Sequence, residues 1–86
     1  IQGIGANFVP KNLDQSIIDE FFTVSNENAI ATTQKLAKQE GLLAGISSGA
    51  NIFAASEFAK LSQNANKTIL TFLNDTGETY IFCYSF

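Results

Sequence analysis

A short apolar run followed directly by two serines and a glycine is the feature that most constrains this chain. Residues 41–50 read GLLAGISSGA, and the periodic segment NIFAASEFAKL follows. This order is typical of a strand, a tight turn and the start of a helix. Ser47 and Ser48 can each cap that helix, which is the commoner role of such serines, and Gly49 permits close backbone approach. Because the amides of a first helical turn face outward, the alternative role of the turn is to bind a small polar ligand.

Two helices are predicted on either side of this turn. Ser25 or Asn26 precedes a one-sided apolar stripe with three- and four-residue spacing, and Gly41 follows the stripe. We therefore expect a helix over 26–40 that ends at a Gly41 cap. The second helix is expected over 48–62. Its apolar residues cover most of the circumference, which is typical of a helix buried between layers.

Three strands are predicted from runs of β-branched and aromatic residues, at about 17–24, 42–45 and 68–73. The element order is then β-α-β-α-β, which indicates a small α/β domain with a three-layer-like arrangement and mostly parallel strands. Ligands of open α/β sheets bind beyond the carboxyl ends of the strands. The SSGAN and NDTG turns both follow predicted strands, so the pattern favours a site there.

Composition predicts that the chain packs against a partner. A chain of 86 residues has room for one small domain, and this one is 45% apolar with eight phenylalanines. A parallel sheet needs cover on both faces, and two helices supply only part of it. Apolar patches of a few hundred Å² usually mark interfaces, and four exposed aromatic rings would form one. We therefore expect a homodimer that covers Phe53, Phe58 or the pair of Phe21 and Phe22, and the sequence leaves open which segments associate.

Charge and residue usage exclude several classes of function. The net charge is −3 and the five lysines stand singly, so no nucleic-acid partner is expected. No run of 18 apolar residues occurs, and a membrane partner is not expected either. The chain has no histidine and one cysteine, Cys83, so we expect no metal site. A single cysteine fits a reducing compartment, and a cytoplasmic location is predicted.

Three motifs in order carry a family resemblance: IQGIGANFVPKNLD at 1–14, EGLLAGISSGAN at 40–51 and NDTGETY at 74–80. Together they resemble the C-terminal portion of cysteine synthase (O-acetylserine sulfhydrylase), a family of fold type II pyridoxal-phosphate enzymes. The resemblance covers 1–86 as a single partial domain. It implies a transferase of cysteine biosynthesis, which replaces the acetate of O-acetylserine with sulfide. For the full-length enzymes it also implies serine acetyltransferase as a partner.

The resemblance further implies which residues meet the cofactor and the substrate. Ser47, the first serine of the SSGA turn, matches the family residue that hydrogen-bonds the pyridine nitrogen, and Asp75 matches a residue near the ring edge. The motif at the start of the chain matches the loop that lines the substrate side of the family's active site. The alternative interpretation of this motif is a flexible terminus. Its residues are Gln2, Gly3, Ile4 and Gly5.

The third motif departs from the family pattern, which is roughly PDSGERYLST. Asn74 stands in place of proline, Thr79 in place of arginine, and Phe82 and Cys83 in place of a Ser-Thr pair. The loss of the arginine removes a charge partner for Glu78. These changes are concentrated near the C-terminus. This part of the chain is therefore where a degraded or reused copy of the motif is to be sought.

No catalytic residue is assigned to this chain. By the resemblance, the cofactor-bearing lysine, the phosphate-binding loop and the asparagine loop for the substrate carboxylate belong upstream of Ile1. We therefore expect the isolated chain to be inactive, to hold no pyridoxal phosphate, and to need the missing upstream domain as a partner. Two hypotheses stay open: a fragment of a cysteine synthase-like enzyme, and a non-catalytic α/β remnant that self-associates.

Overall fold

The computed structural model describes residues 9–74 and contains two α-helices in that range. Helix α1 spans Asn26–Glu40, and helix α2 spans Ile46–Ala59. One-turn 3-10 helices precede α1 at Gln15–Ile17 and follow α2 at Ser62–Asn64. The remaining described backbone is extended or turn.

The ends of α1 follow from its own sequence. Ser25 Oγ accepts a hydrogen bond from the Asn28 N–H at 3.1 Å, which satisfies one of the free amides of the first turn. Gly41 ends the helix with φ 69° and ψ 20°, a left-handed conformation that favours glycine, and its N–H donates to Leu36 O. The predicted bounds 26–40 and the Gly41 cap are confirmed.

Helix α2 begins earlier than the prediction of 48–62, and it ends at Ala59. Its N-terminal cap is Gly45, and no side chain caps the first turn. Ser47 and Ser48 therefore lie inside the helix, and the capping role predicted for them is wrong. Buried Ile46 precedes both serines as the first residue of the helix. Packing of this apolar side chain, rather than a polar cap, fixes where the helix starts.

The predicted α/β fold is wrong for the described part of the chain. Residues 9–74 contain no β-sheet, and Ala44 alone has an isolated bridge. The segments 17–24, 42–45 and 68–73 do not form strands. A strand exists only where a second strand pairs with its backbone, and residue propensity does not supply that second strand. Without a sheet, the predicted β-α-β-α-β order and the predicted layers are wrong. The ligand site expected beyond the strand ends loses its basis for the same reason.

The core lies where α1 crosses α2. Ala29 and Thr33 of α1 are buried there against Gly49 of α2, and the preceding Ser48 is buried as well. Thr33 Oγ1 donates to Ala29 O at 2.8 Å and lies 3.3 Å from Gly45 O. A Cβ at Gly49 would overlap Thr33 Oγ1 and lie 2.5 Å from Ala29 O. The close approach predicted at Gly49 is therefore confirmed, and the neighbour is helix α1.

An aromatic cluster attaches the segment before α1 to α2. The Phe22 ring centroid lies 5.2 Å from that of Phe58 and 6.3 Å from that of Phe53, both tilted by more than 50°. Tilted ring pairs at these distances stabilise beyond simple area burial. Most of α2 is only half-buried, since α1 and this segment cover one side of it. The prediction that α2 is buried between layers is therefore wrong within the described residues.

Large apolar side chains remain exposed along the extended segments. Phe21 is 76% exposed, Leu70 84% and Phe72 71%. The other large apolar side chains that are at least two-fifths exposed are Val9, Leu13, Ile17, Phe22, Leu42, Leu43, Leu61, Ile69 and Leu73. Exposure on this scale is typical of a surface that another polypeptide covers.

Substitution of Ser25 by alanine should lower the free energy of unfolding by about 1 kcal/mol, because the Asn28 amide loses its acceptor. Urea unfolding monitored by far-ultraviolet circular dichroism measures this change. Ser62→Ala is the control, since Ser62 is exposed and Leu61 is the cap residue there. Equal losses in the two variants would contradict the assignment of Ser25 as a cap.

Candidate functional site

A hollow of about 300 Å³ opens beside the N-terminal half of α2. Its walls combine apolar side chains with one hydroxyl and two amides. The lining residues are Phe22, Val24, Ser47, Ala50, Asn51, Ala54 and Asn74. Apolar walls with a few polar groups are typical of sites for small organic ligands.

Ser47 is the polar group of the hollow that lies closest to the helix start. It is the second residue of α2, it is half-buried, and the first turn contains no acidic residue. Its hydroxyl can donate one hydrogen bond and accept others. The positive end of the helix dipole favours an electron-rich ligand atom at this position.

Two asparagines connect α2 to the extended segment that forms the opposite wall. Asn51 Nδ2 donates to Phe72 O at 3.1 Å and to Asn74 Oδ1 at 3.0 Å. The Asn74 N–H donates to Ser48 Oγ at 2.8 Å, and Ser48 is fully buried. Residues 72–74 are therefore held against the helix by three hydrogen bonds.

Only one of the predicted site residues lies within the described part of the chain. Ser47 lies in the hollow, whereas Asp75 and the loop of Gln2, Gly3, Ile4 and Gly5 lie outside the described residues. Asn51 and Asn74 belong to the SSGAN and NDTG turns named from the sequence, but the sequence assigned neither side chain a role in binding. A signal for Asn51 was present, because it follows Ser47 by four residues and therefore shares its face of the helix.

Other parts of the described surface carry features that do not involve Ser47. A larger groove of about 660 Å³ runs along the outer faces of α1 and α2, where Lys60 and Glu57 form an exposed ion pair at 3.3 Å. Within residues 9–74 no three acidic or cysteine side chains are grouped to hold a metal ion. Neither α1 nor α2 is long and apolar enough to cross a membrane.

One carboxyl group among the described residues has a clearly altered acidity. The pKa of Asp14 lies below its ordinary value of 3.8 because Ser16 donates from its hydroxyl, at 2.5 Å, and from its N–H, at 3.0 Å. Asp14 is exposed and precedes the first 3-10 helix, which it caps. It does not line the hollow, so this shift has a local structural cause.

Comparison with curated proteins finds cysteine synthases over nearly the whole chain. Cysteine synthase B of Campylobacter jejuni is 60% identical over 81 residues, which cover 94% of this chain and 26% of that protein. Cysteine synthase of Haemophilus influenzae is 53% identical, and cysteine synthase A of Escherichia coli K12 is 46% identical, over the same length. No family model matches the chain.

Comparison with solved structures gives the same result for the fold. The crystal structure of cysteine synthase (OASS) from Entamoeba histolytica matches with a TM-score of 0.92 and 34% identity, over 96% of this chain and 25% of that one. O-ureido-L-serine synthase matches with a TM-score of 0.85 and 42% identity, over 94% and 25%. The resemblance inferred from the three motifs is confirmed. This chain is therefore similar to a segment of cysteine synthases, and it spans about a quarter of the length of the relatives it matches.

Proposed function

We propose that this chain supplies part of the cofactor site of a cysteine synthase-like enzyme, with Ser47 as the residue that contacts the cofactor ring. One observation carries the proposal. Ser47 lies in the first turn of α2 and lines a hollow with apolar walls, in a chain that is 46–60% identical to cysteine synthases. The activity is the replacement of the acetate of O-acetylserine by sulfide, which gives cysteine.

The groups in the hollow fit one edge of a pyridine ring. Phe22, Ala50 and Ala54 supply apolar walls, and the Ser47 hydroxyl supplies a hydrogen bond for the ring nitrogen. When bound, pyridoxal phosphate withdraws electrons from the substrate carbon next to the amino group. A neutral hydroxyl leaves the ring nitrogen unprotonated, which suits elimination and replacement at the β-carbon. Asp75 and the loop of residues 2–5 join this site as further proposals by resemblance.

Catalysis on this proposal needs the rest of the family's sequence. The resemblance assigns the cofactor-bearing lysine and the phosphate-binding loop to the part of the family that this chain does not match. The apolar side chains exposed on 68–73 and around Phe21 form a surface suited to contact that part. We therefore propose that the 86 residues alone form no cysteine and hold no pyridoxal phosphate. Binding of serine acetyltransferase and a cytoplasmic location stay predictions.

A complementation experiment tests the proposal. The chain is mixed with a polypeptide that comprises the remaining three quarters of the Campylobacter jejuni relative, in the presence of pyridoxal phosphate. We expect cofactor absorbance that is retained on gel filtration, and cysteine formation from O-acetylserine and sulfide. Neither polypeptide should form cysteine alone. A mixture that binds no cofactor, although the two polypeptides associate, would contradict the proposal.

Ser47→Ala in the same mixture should weaken pyridoxal phosphate binding by about tenfold, because one hydrogen bond to the ring is lost. The change is measured by titration of the cofactor absorbance. Ser56→Ala is the matched control, since it removes the same hydroxyl from an exposed position of the same helix. Equal affinities in the two variants would exclude Ser47 as a contact of the ring.

A second candidate function is self-association without catalysis. The observation that favours it is the exposure of large apolar side chains such as Phe21, Leu70 and Phe72 in the described chain. A homodimer would cover them and would compete with the complementing polypeptide for the same surface. Sedimentation equilibrium of the chain alone distinguishes the two: a stable dimer that excludes the complementing polypeptide supports this candidate, and a monomer at micromolar concentration contradicts it.

A further inference from the structure

We propose that Asn51 and Asn74 are positioning residues that fix the wall of the hollow opposite Ser47. The hydrogen bonds that fix this wall belong to the chain itself, whereas their effect on a bound cofactor rests on the proposed function. Asn51 lies on α2, and Asn74 lies on the extended segment at the other side of the hollow. The direct hydrogen bond between their side chains connects the two walls.

Three hydrogen bonds connect α2 with the opposite wall. Asn51 Nδ2 uses its two hydrogens on Phe72 O and Asn74 Oδ1, at 3.1 and 3.0 Å. The Asn74 N–H then donates to Ser48 Oγ at 2.8 Å. Ser48 is fully buried and precedes Gly49, where α1 and α2 approach closely, so the segment is held against the buried part of the helix pair. Ser47 is the neighbouring residue in the same helical turn, and its distance to the opposite wall is set by these bonds.

The residue at position 74 is decisive for this arrangement. Asn74 contributes both an N–H donor and a side-chain acceptor. A proline, which stands there in the pattern PDSG, has neither group. This chain therefore fixes the wall by polar contacts that the proline pattern cannot make. The exchange of proline for asparagine, paired with Asn51, permits two hydrogen bonds that proline cannot make.

Three substitutions at position 74 give a graded test. Asn74→Asp keeps the N–H and an acceptor oxygen, Asn74→Ala keeps only the N–H, and Asn74→Pro keeps neither. Asn51→Ala removes the hydrogen bonds to Asn74 Oδ1 and Phe72 O from the helix side, and it leaves the Asn74 N–H bonded to Ser48 Oγ. Asn64→Ala is the control, because Asn64 Nδ2 donates to Phe58 O at 2.8 Å, at the other end of α2 and away from the hollow. It removes a comparable hydrogen bond without touching the wall.

The first measurement is hydrogen exchange of the Asn74 amide, by NMR, on the 86-residue chain without any ligand. We expect exchange about fivefold faster in Asn51→Ala and Asn74→Ala than in the unsubstituted chain. It should be unchanged in Asn74→Asp and Asn64→Ala. Equal acceleration in Asn64→Ala would show a general loss of stability and would overturn the proposal, as would unchanged exchange in Asn51→Ala.

The second measurement is the position of the cofactor absorbance band in the complemented mixture. Asn74→Pro and Asn51→Ala should shift the band or broaden it, because the ring loses a fixed wall, while Asn74→Asp and Asn64→Ala retain the band of the unsubstituted chain. Unshifted bands in both wall variants would overturn the positioning role. Absence of cofactor from the unsubstituted mixture would instead overturn the proposed function, and the exchange data would still decide whether the hydrogen bonds fix the wall.

Discussion

Gly49→Ala should lower the free energy of unfolding by about 2 to 3 kcal/mol, the largest effect expected for a single methyl group in this chain. The added Cβ would overlap Thr33 Oγ1 and lie 2.5 Å from Ala29 O. Rotation of Thr33 can relieve the first contact, but its hydrogen bond to Ala29 O is then lost. The second contact is with backbone, so α1 and α2 must move apart. Alanine's better helix propensity, about 1 kcal/mol, is too small to offset this overlap.

Urea unfolding of the Gly49→Ala chain measures the loss, and Gly41→Ala is its control. Gly41 has nothing within 4 Å of an added Cβ, but its φ of 69° disfavours alanine by about 1 kcal/mol. The two substitutions therefore separate overlap between helices from backbone strain. A loss at Gly49 no larger than that at Gly41 would mean that the helices do not approach as closely as the structure has them.

Phe22→Ala should lower the free energy of unfolding by about 2 kcal/mol. A fully buried phenylalanine loses about 3–5 kcal/mol on truncation. Phe22 is 43% exposed, which reduces the expected loss, but it contacts both Phe53 and Phe58. Its removal should also free the segment before α1 and widen the hollow that contains Ser47. Chemical denaturation measures the first effect, and proteolysis of the segment before Ser25 measures the second.

Phe21→Ala is the matched control for this experiment. Phe21 is the preceding residue, it is 76% exposed, and it lies outside the aromatic cluster. Its truncation should change stability by less than about 0.5 kcal/mol in a monomer. Similar losses at the two positions would contradict the cluster as the attachment of this segment. If Phe21→Ala alone weakened an oligomer, Phe21 would belong to an interface.

Helix α1 could be predicted from the sequence because its determinants are local. Ser25 supplies the cap, the apolar stripe supplies the buried face, and Gly41 supplies the left-handed stop. Each of these acts over a few residues, so it leaves a signal in the sequence. The three motifs likewise indicated the family, since they stand in order over the whole chain, and the comparisons confirm it.

The start of α2 and the fate of the strand-like segments could not be predicted in the same way. Two serines before an apolar periodic segment favour a cap, yet burial of Ile46 brings them inside the helix. The segments 17–24 and 68–73 have the residue types of strands and remain unpaired in the described chain. Strand propensity describes the backbone conformation that a residue prefers. Strand pairing also needs a second segment of backbone, and the propensity of the first segment does not provide it.

For the candidate site, the sequence determined one residue and the tertiary structure determined its surroundings. Ser47 is recognisable because the SSGA turn is contiguous and resembles a family motif. The roles of Asn51 and Asn74 became visible only when residues 23 positions apart were found within 3.0 Å of each other. A hydrogen bond over that separation depends on how the chain folds back on itself. The contiguous turn that contains Ser47 can therefore be recognised in the sequence. The distance between Asn51 and Asn74 depends on tertiary packing.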